Sequence, residues 1–133
     1  MARHERKRPT DGELEILSVL WERGPSTVRE VFRVLNQGRE TGYTTVLKLM
    51  QIMTDKGLVT RDTSVRPQVY KVARTQRQMQ RQLLGDLLDR AFAGSPGSLV
   101  MQALSTRKAS PDELQQIREL LDQLENQSEG ERQ

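Results

Sequence analysis

Apolar residues recur at helical spacing along most of the chain, and once, after Gly57, the pattern changes to two short β-type runs. Three helices are predicted before this change. The first begins at a capping box that starts with Thr10, the second is capped by Ser26 or Thr27, and the third covers about residues 44–56. Gly57 follows the third helix, at the place where a left-handed residue is favoured.

The two β-type runs, residues 58–61 and 68–72, are joined by the polar segment 62–67 and therefore predict a hairpin. Helix, turn, helix and hairpin is the order of a winged helix-turn-helix, in which the second helix of the pair enters the DNA major groove and the hairpin forms the wing. We expect a mainly α fold with an N-terminal winged helix-turn-helix, a two-stranded wing and a C-terminal helical region.

Amphipathic helices also fill the second half, over about residues 75–92, 98–105 and 110–124, with a break at 94–97. Each helix has too little apolar surface to enclose a core alone, so we expect this region to form a homodimer. The apolar residues expected at the dimer interface are Leu84, Leu87, Leu88, Phe92, Leu99, Val100, Leu104, Leu114, Ile117, Leu121 and Leu124. The expected division is a flexible basic arm (1–9), a winged-helix DNA-binding domain (10–74), a helical dimerisation region (75–125) and a flexible tail (126–133).

The net charge of +3 conceals an asymmetry between the two halves. Residues 1–82 contain 16 Lys and Arg against 9 Asp and Glu, whereas residues 83–133 contain 5 against 9. The first half is therefore suited to contact a polyanion, while the second half would be repelled by DNA.

Composition excludes several classes of protein. The chain has no Cys and a single His, His4, so neither a thiolate metal site nor a nucleophile with a His base can be assembled, and we expect no enzyme, metal or cofactor. No apolar run approaches the roughly 20 residues that span a bilayer, and no apolar segment follows the basic N-terminus as in a signal peptide. We expect a cytoplasmic protein without membrane insertion.

The DNA-binding residues are expected on three elements and on the arm. The solvent face of the third helix offers base contacts, the start of the second helix offers phosphate contacts, and the wing offers phosphate or minor-groove contacts. These residues are Thr44, Thr45, Lys48 and Gln51 on the third helix, Ser26, Thr27 and Arg29 on the second, Arg66 and Gln68 on the wing, and Arg6 and Arg8 on the arm. Taken singly, each is also typical of a solvated protein surface.

Several segments together resemble the penicillinase-repressor family of BlaI, MecI and CopY type. The helix from Thr10 ends near a Leu-Trp pair at Trp21, as at the start of that family. The other matching segments are Tyr43-Thr44-Thr45-Val46-Leu47, Lys56-Gly57-Leu58-Val59, Gln68-Val69-Tyr70, Ser98-Leu99-Val100 and Ser110-Pro111-Asp112-Glu113-Leu114. The resemblance implies a homodimeric repressor that binds an inverted-repeat operator. It also implies that a membrane sensor protease triggers a cut in the C-terminal region of the repressor, which then leaves the operator.

Three departures from the family pattern limit what the resemblance implies. The cleaved Asn-Phe bond of the best-known members corresponds here to Gln102-Ala103. The Cys-rich metal site of the copper-responsive branch is absent. Leu47 stands where resistance-gene repressors tend to have a basic residue, and it either contacts a thymine methyl group or turns into the core.

Two other functions fit the same elements. A ligand-responsive winged-helix regulator would need an aromatic-lined pocket, and Phe92 is the only aromatic residue after Tyr70. A protein–protein adaptor that uses a winged helix without DNA would show no salt-dependent affinity for DNA.

Overall fold

The structure, a computed structural model, describes residues 8–132, with side chains described up to Gly130. Within this range the chain forms six helices and two strands, in the order α1 (Asp11–Arg23), α2 (Val28–Gly38), α3 (Tyr43–Lys56), β1 (Val59–Asp62), β2 (Val69–Val72), α4 (Gln76–Ala91), α5 (Pro96–Thr106) and α6 (Pro111–Arg132). The expected mainly helical fold with a winged helix-turn-helix is confirmed. None of these helices combines the length and apolar character that a bilayer span requires.

Reciprocal hydrogen bonds begin the first two helices. The Thr10 hydroxyl accepts from the Glu13 amide at 3.3 Å, while the Thr10 amide donates to the Glu13 carboxylate at 2.8 Å. Thr27 and Glu30 repeat this arrangement at the start of α2, with distances of 3.2 and 2.9 Å. Each box satisfies two amides that a helix start leaves without partners. The predicted start of both helices is therefore correct, and Thr27 is the cap of α2.

The wing is an antiparallel hairpin whose second strand is bridged to Ser26, just before α2. In the hairpin, Val59 pairs with Val72 and Asp62 with Val69. Ser26 adds a short bridge to Tyr70, with N–H to oxygen distances of 3.0 and 2.8 Å in the two directions. These bonds fix the second strand of the wing beside the entrance to α2.

The hydrophobic core lies in the first of two compact units, which ends at Gly85. Helices α1 to α4 and both strands contribute to it, and its buried apolar residues are Ile16, Leu17, Val19, Leu20, Val28, Val31, Val46, Met50, Met53, Leu58, Val59, Tyr70 and Met79. One charged side chain, Glu13, is buried with them and accepts a hydrogen bond from Lys56 Nζ at 2.7 Å. This ion pair connects the start of α1 to the end of α3.

The second compact unit begins at Asp86 and contains the end of α4 together with α5 and α6. No side chain between Asp86 and Gly130 is buried. The helix ends differ from the predictions here. The prediction that the last helix ends near Leu124 was wrong, since α6 continues to Arg132. The polar residues after Leu124 are mostly good helix formers, which explains the continuation.

Candidate nucleic-acid interface

Helix α3 has a buried apolar face and an exposed polar face. Val46, Met50 and Met53 point into the core and are buried. On the other side, the four expected base-contacting residues are all exposed: Thr44, Thr45, Lys48 and Gln51. Because positions 44, 48 and 51 are spaced by one helical turn each, they form a continuous polar stripe. The structure thus brings the four residues together on one accessible surface.

Leu47 lies at the border between these two faces. Its side chain is half-buried and packs against the core. The rest of its surface lines a groove between α2, α3 and the wing. Leu47 therefore both supports α3 and presents an apolar surface beside the polar stripe.

The start of α2 holds two hydroxyl groups in different environments. The half-buried Thr27 caps the helix and lines the same groove. Ser26 is buried and its hydroxyl donates to the Gly24 carbonyl at 2.9 Å, so it cannot reach a phosphate. The prediction that Ser26 contacts DNA is therefore corrected. Its backbone instead anchors the wing through Tyr70.

The groove between α2, α3 and the wing has a volume of about 360 Å³. It brings together four of the expected DNA-binding residues, Thr27, Arg29, Leu47 and Gln68. Arg33 and Tyr43 also line it and were not among the predicted DNA-binding residues; the remaining lining residues are Val28, Glu30, Pro67 and Tyr70. Arg33 follows Arg29 by one helical turn on α2, and this spacing could have indicated the pair.

Aromatic contacts fix one cation of this groove. The Arg29 guanidinium carbon lies 5.0 Å from the centroid of the Tyr43 ring. Tyr43 in turn packs edge-on against Phe32, with centroids 5.7 Å apart and planes at 77°. Phe32 packs against the core. The guanidinium is therefore supported from the interior by two packed rings.

The loop of the wing is exposed and carries its own short-range contacts. Arg66 and Val65 are exposed near the tip, and Gln68 is half-buried where the loop enters β2. The Asp62 carboxylate accepts from both the hydroxyl and the amide of Ser64. Hydrogen bonds from the Ser64 hydroxyl and amide, with a smaller effect of nearby Lys71, lower the pKa of Asp62. The carboxylate thus holds the loop turn while Arg66 stays accessible.

The structure describes only one of the two arm residues that were predicted to contact DNA. Arg6 lies outside the described residues. Arg8 is half-buried, and its carbonyl oxygen accepts a hydrogen bond from Lys56 Nζ at 3.4 Å. The backbone just before α1 is therefore held near the end of α3.

The apolar residues expected at a dimer interface are half-buried or exposed in the structure. Leu88, Phe92, Leu99, Leu114 and Ile117 are half-buried. Leu84, Leu87, Val100, Leu104, Leu121 and Leu124 are exposed large hydrophobic residues. Gln102 and Ala103 are exposed within α5.

No group of three or more His, Asp or Glu side chains that could hold a metal ion occurs in the described part of the chain. The arrangement that is present combines a helix pair, a wing and a polar outer face on the second helix. It defines a winged helix-turn-helix protein.

Comparisons with known proteins place the chain within this class. The profile described as penicillinase repressor matches residues 9–123. The chain therefore belongs to the penicillinase repressor family, and it is a transcriptional regulator. No curated protein sequence matches it significantly. A similar solved structure is the crystal structure of AbfR of Staphylococcus epidermidis, at 16% identity, with 97% of this chain and 80% of that chain covered and a TM-score of 0.45.

Proposed function

We propose that the protein is a homodimeric transcriptional repressor that binds an inverted-repeat operator in double-stranded DNA. The observation that carries this proposal is the exposed polar stripe of α3, opposite a face that the core immobilises. A rigid helix with polar side chains directed outward can enter the major groove and discriminate base pairs.

Each exposed group has a defined task in this proposal. Lys48 donates to guanine O6 and N7, Gln51 pairs with adenine, and Thr44 and Thr45 contact bases or a phosphate near the start of α3. Every good base contact contributes about 1–3 kcal/mol of discrimination. Arg66 contacts the backbone or minor groove from the wing, which adds affinity without selecting sequence.

The proposed dimer rests on the second compact unit. Leu120, Leu121 and Leu124 stand on one side of α6 with about half of their surface exposed, at 53%, 52% and 51%. A second copy would bury these side chains, and its two-fold axis would set the spacing of the half-sites. Two linked winged helices bind two half-sites far more tightly than separate copies do.

Release of the operator by a membrane sensor protease follows only from the family resemblance. The corresponding bond, Gln102-Ala103, lies within the helix α5, so a protease would have to unwind this helix before cutting. The best-known members of the family regulate β-lactamase genes, so mass spectrometry of the protein recovered from cells treated with a β-lactam tests this route. A fragment that ends at Gln102 supports it, and an intact chain under conditions that free the operator contradicts it.

The DNA-binding proposal is tested by selecting operators from random DNA with the full chain. Lys48→Ala is expected to weaken binding to the selected operator about 5- to 150-fold per half-site more than binding to random DNA. Lys108→Ala, which removes an equal charge from the second unit, serves as the matched control. Equal losses on both DNAs would contradict base contact by Lys48. A protein that enriches no sequence and shows no salt-dependent DNA affinity would favour the adaptor function.

A further inference from the structure

The groove beside α3 contains two arginines of α2, one helical turn apart. Arg29 and Arg33 both line it, together with Leu47 of α3 and Gln68 of the wing. Two ion pairs between described residues near α2 involve other arginines. Arg23 pairs with Glu30, and Arg39 pairs with Glu15. None of the ion pairs within residues 8–130 involves Arg29 or Arg33. Their charge is thus available to an anion in the groove.

Tyr43 distinguishes Arg29 from an ordinary surface arginine. A long cationic side chain loses much rotamer freedom when it is held in one place. Here the Tyr43 ring lies 5.0 Å from the guanidinium carbon, and Phe32 holds that ring from the core side. The cation is therefore already ordered before a ligand arrives, so binding costs less conformational entropy.

We propose that Tyr43 is a positioning residue, whose ring holds Arg29 so that Arg29, one helical turn from Arg33, binds a backbone phosphate of the half-site. This inference rests on the proposed function, because the phosphate belongs to the DNA that α3 contacts. Guanidinium groups suit this task because their planar N–H donors match phosphate oxygens.

The position of Tyr43 gives this contact a second effect. Tyr43 is the first residue of α3, whereas Arg29 belongs to α2. A phosphate held by Arg29 is therefore linked through one ring to the start of the helix that contacts the bases. Phosphate contacts of this kind fix the register of a recognition helix on the duplex.

The experiment measures binding of the full chain to its selected operator and to random DNA, from about 50 to about 200 mM salt. Arg29→Gln is expected to reduce the steepness of the salt dependence by about 0.9 for each phosphate that is no longer neutralised, on both DNAs alike. Arg107→Gln, at an exposed position in the second unit, is the matched control and should leave the slope unchanged. An unchanged slope in Arg29→Gln would overturn the phosphate contact.

Two substitutions of Tyr43 separate positioning from other roles. Tyr43→Phe keeps the ring and should bind as the unaltered protein does. Tyr43→Leu keeps an apolar contact with Phe32 but removes the ring face, and should weaken binding about two- to five-fold per half-site. In an Arg29→Gln background, Tyr43→Leu should cause no further loss. Additive losses, or an equal loss in Tyr43→Phe, would overturn the positioning role.

The outcomes also separate this inference from the proposed function. If Lys48→Ala loses operator preference while Arg29→Gln keeps the full salt slope, the inference fails and the repressor proposal stands. If the unaltered protein binds no DNA in a salt-dependent manner, both fail. Because Arg29 is exposed, Arg29→Gln should leave the fold intact, so it tests the phosphate contact on which the inference rests even if Tyr43→Leu unfolds.

Discussion

The two compact units use apolar residues in different ways. In the unit that ends at Gly85, side chains from four helices and a hairpin meet in a closed core, and Ile16, Val31 and Val46 are completely buried. In the unit that begins at Asp86, helices with equally regular apolar stripes leave every described side chain at least partly exposed. Regular spacing of apolar residues therefore indicates a helix and its apolar face. It does not indicate whether residues of the same chain bury that face.

Because the two units differ in this way, removing the second unit should have the largest effect, which is a loss of operator affinity. A chain that ends at Gly85 should remain folded, since its core is complete, but should be monomeric. Its operator affinity should fall about 10²- to 10⁴-fold, because two half-sites are no longer linked. Light scattering gives the mass and gel shifts give the affinity. A stable dimer of the shortened chain would contradict the proposed division of tasks.

The next largest effect comes from matched leucine truncations in the two units. Leu17 is 1% exposed, and Leu17→Ala should reduce the free energy of unfolding by about 2–5 kcal/mol at any protein concentration. Leu121 is 52% exposed, and Leu121→Ala should act mainly on dimer dissociation, so that its effect shrinks as protein concentration rises.

Urea unfolding of both leucine variants at two protein concentrations checks this contrast. The unaltered protein should itself show a transition for the second unit that depends on concentration. A Leu121→Ala effect that is the same at both concentrations would indicate that α6 packs only within its own chain.

The smallest effect concerns a carboxylate in a capping box. Hydrogen bonds from the Thr27 amide and hydroxyl, together with Arg23, lower the pKa of Glu30 from its ordinary value of 4.5. Its contribution to stability is therefore complete above pH 4.5 and is lost as the pH falls through the lower pKa of the folded state.

Thermal melting at several pH values below 4.5 checks this effect. Glu30→Gln should make the melting transition of the first unit less sensitive to acid than it is in the unaltered protein. Glu113→Gln removes the carboxylate of the corresponding box in the second unit, where Ser110 and Glu113 also exchange hydrogen bonds, and serves as the control. If the melting transition of the first unit responds to acid identically in both variants, a specific role for Glu30 is excluded.

Local patterns predicted most of the fold. Capping boxes at Thr10 and Thr27 and the glycine at Gly57 determine where helices begin and end through contacts a few residues apart, so they are visible in the sequence. The end of α6 was not predictable from apolar periodicity, because the stripe stops at Leu124 while helix-forming polar residues continue.

The site was less predictable because its geometry depends on contacts distant in sequence. Ser26 and Thr27 are neighbours with the same functional group, and only the pairing of Ser26 with Tyr70 in the wing decides which of them is buried. Likewise, Tyr43 was not among the predicted DNA-binding residues, whereas the structure places its ring against Arg29 in the groove.

The buried ion pair between Glu13 and Lys56 has a consequence for how this protein can change during evolution. It fixes the last residue of α3 to α1, while Phe32 supports Tyr43 at the first residue. A helix secured at both ends keeps its direction when its outward side chains are replaced. Under the proposed function, substitutions at positions 44, 45, 48 and 51 would change which operator is bound while the core beneath them stays the same.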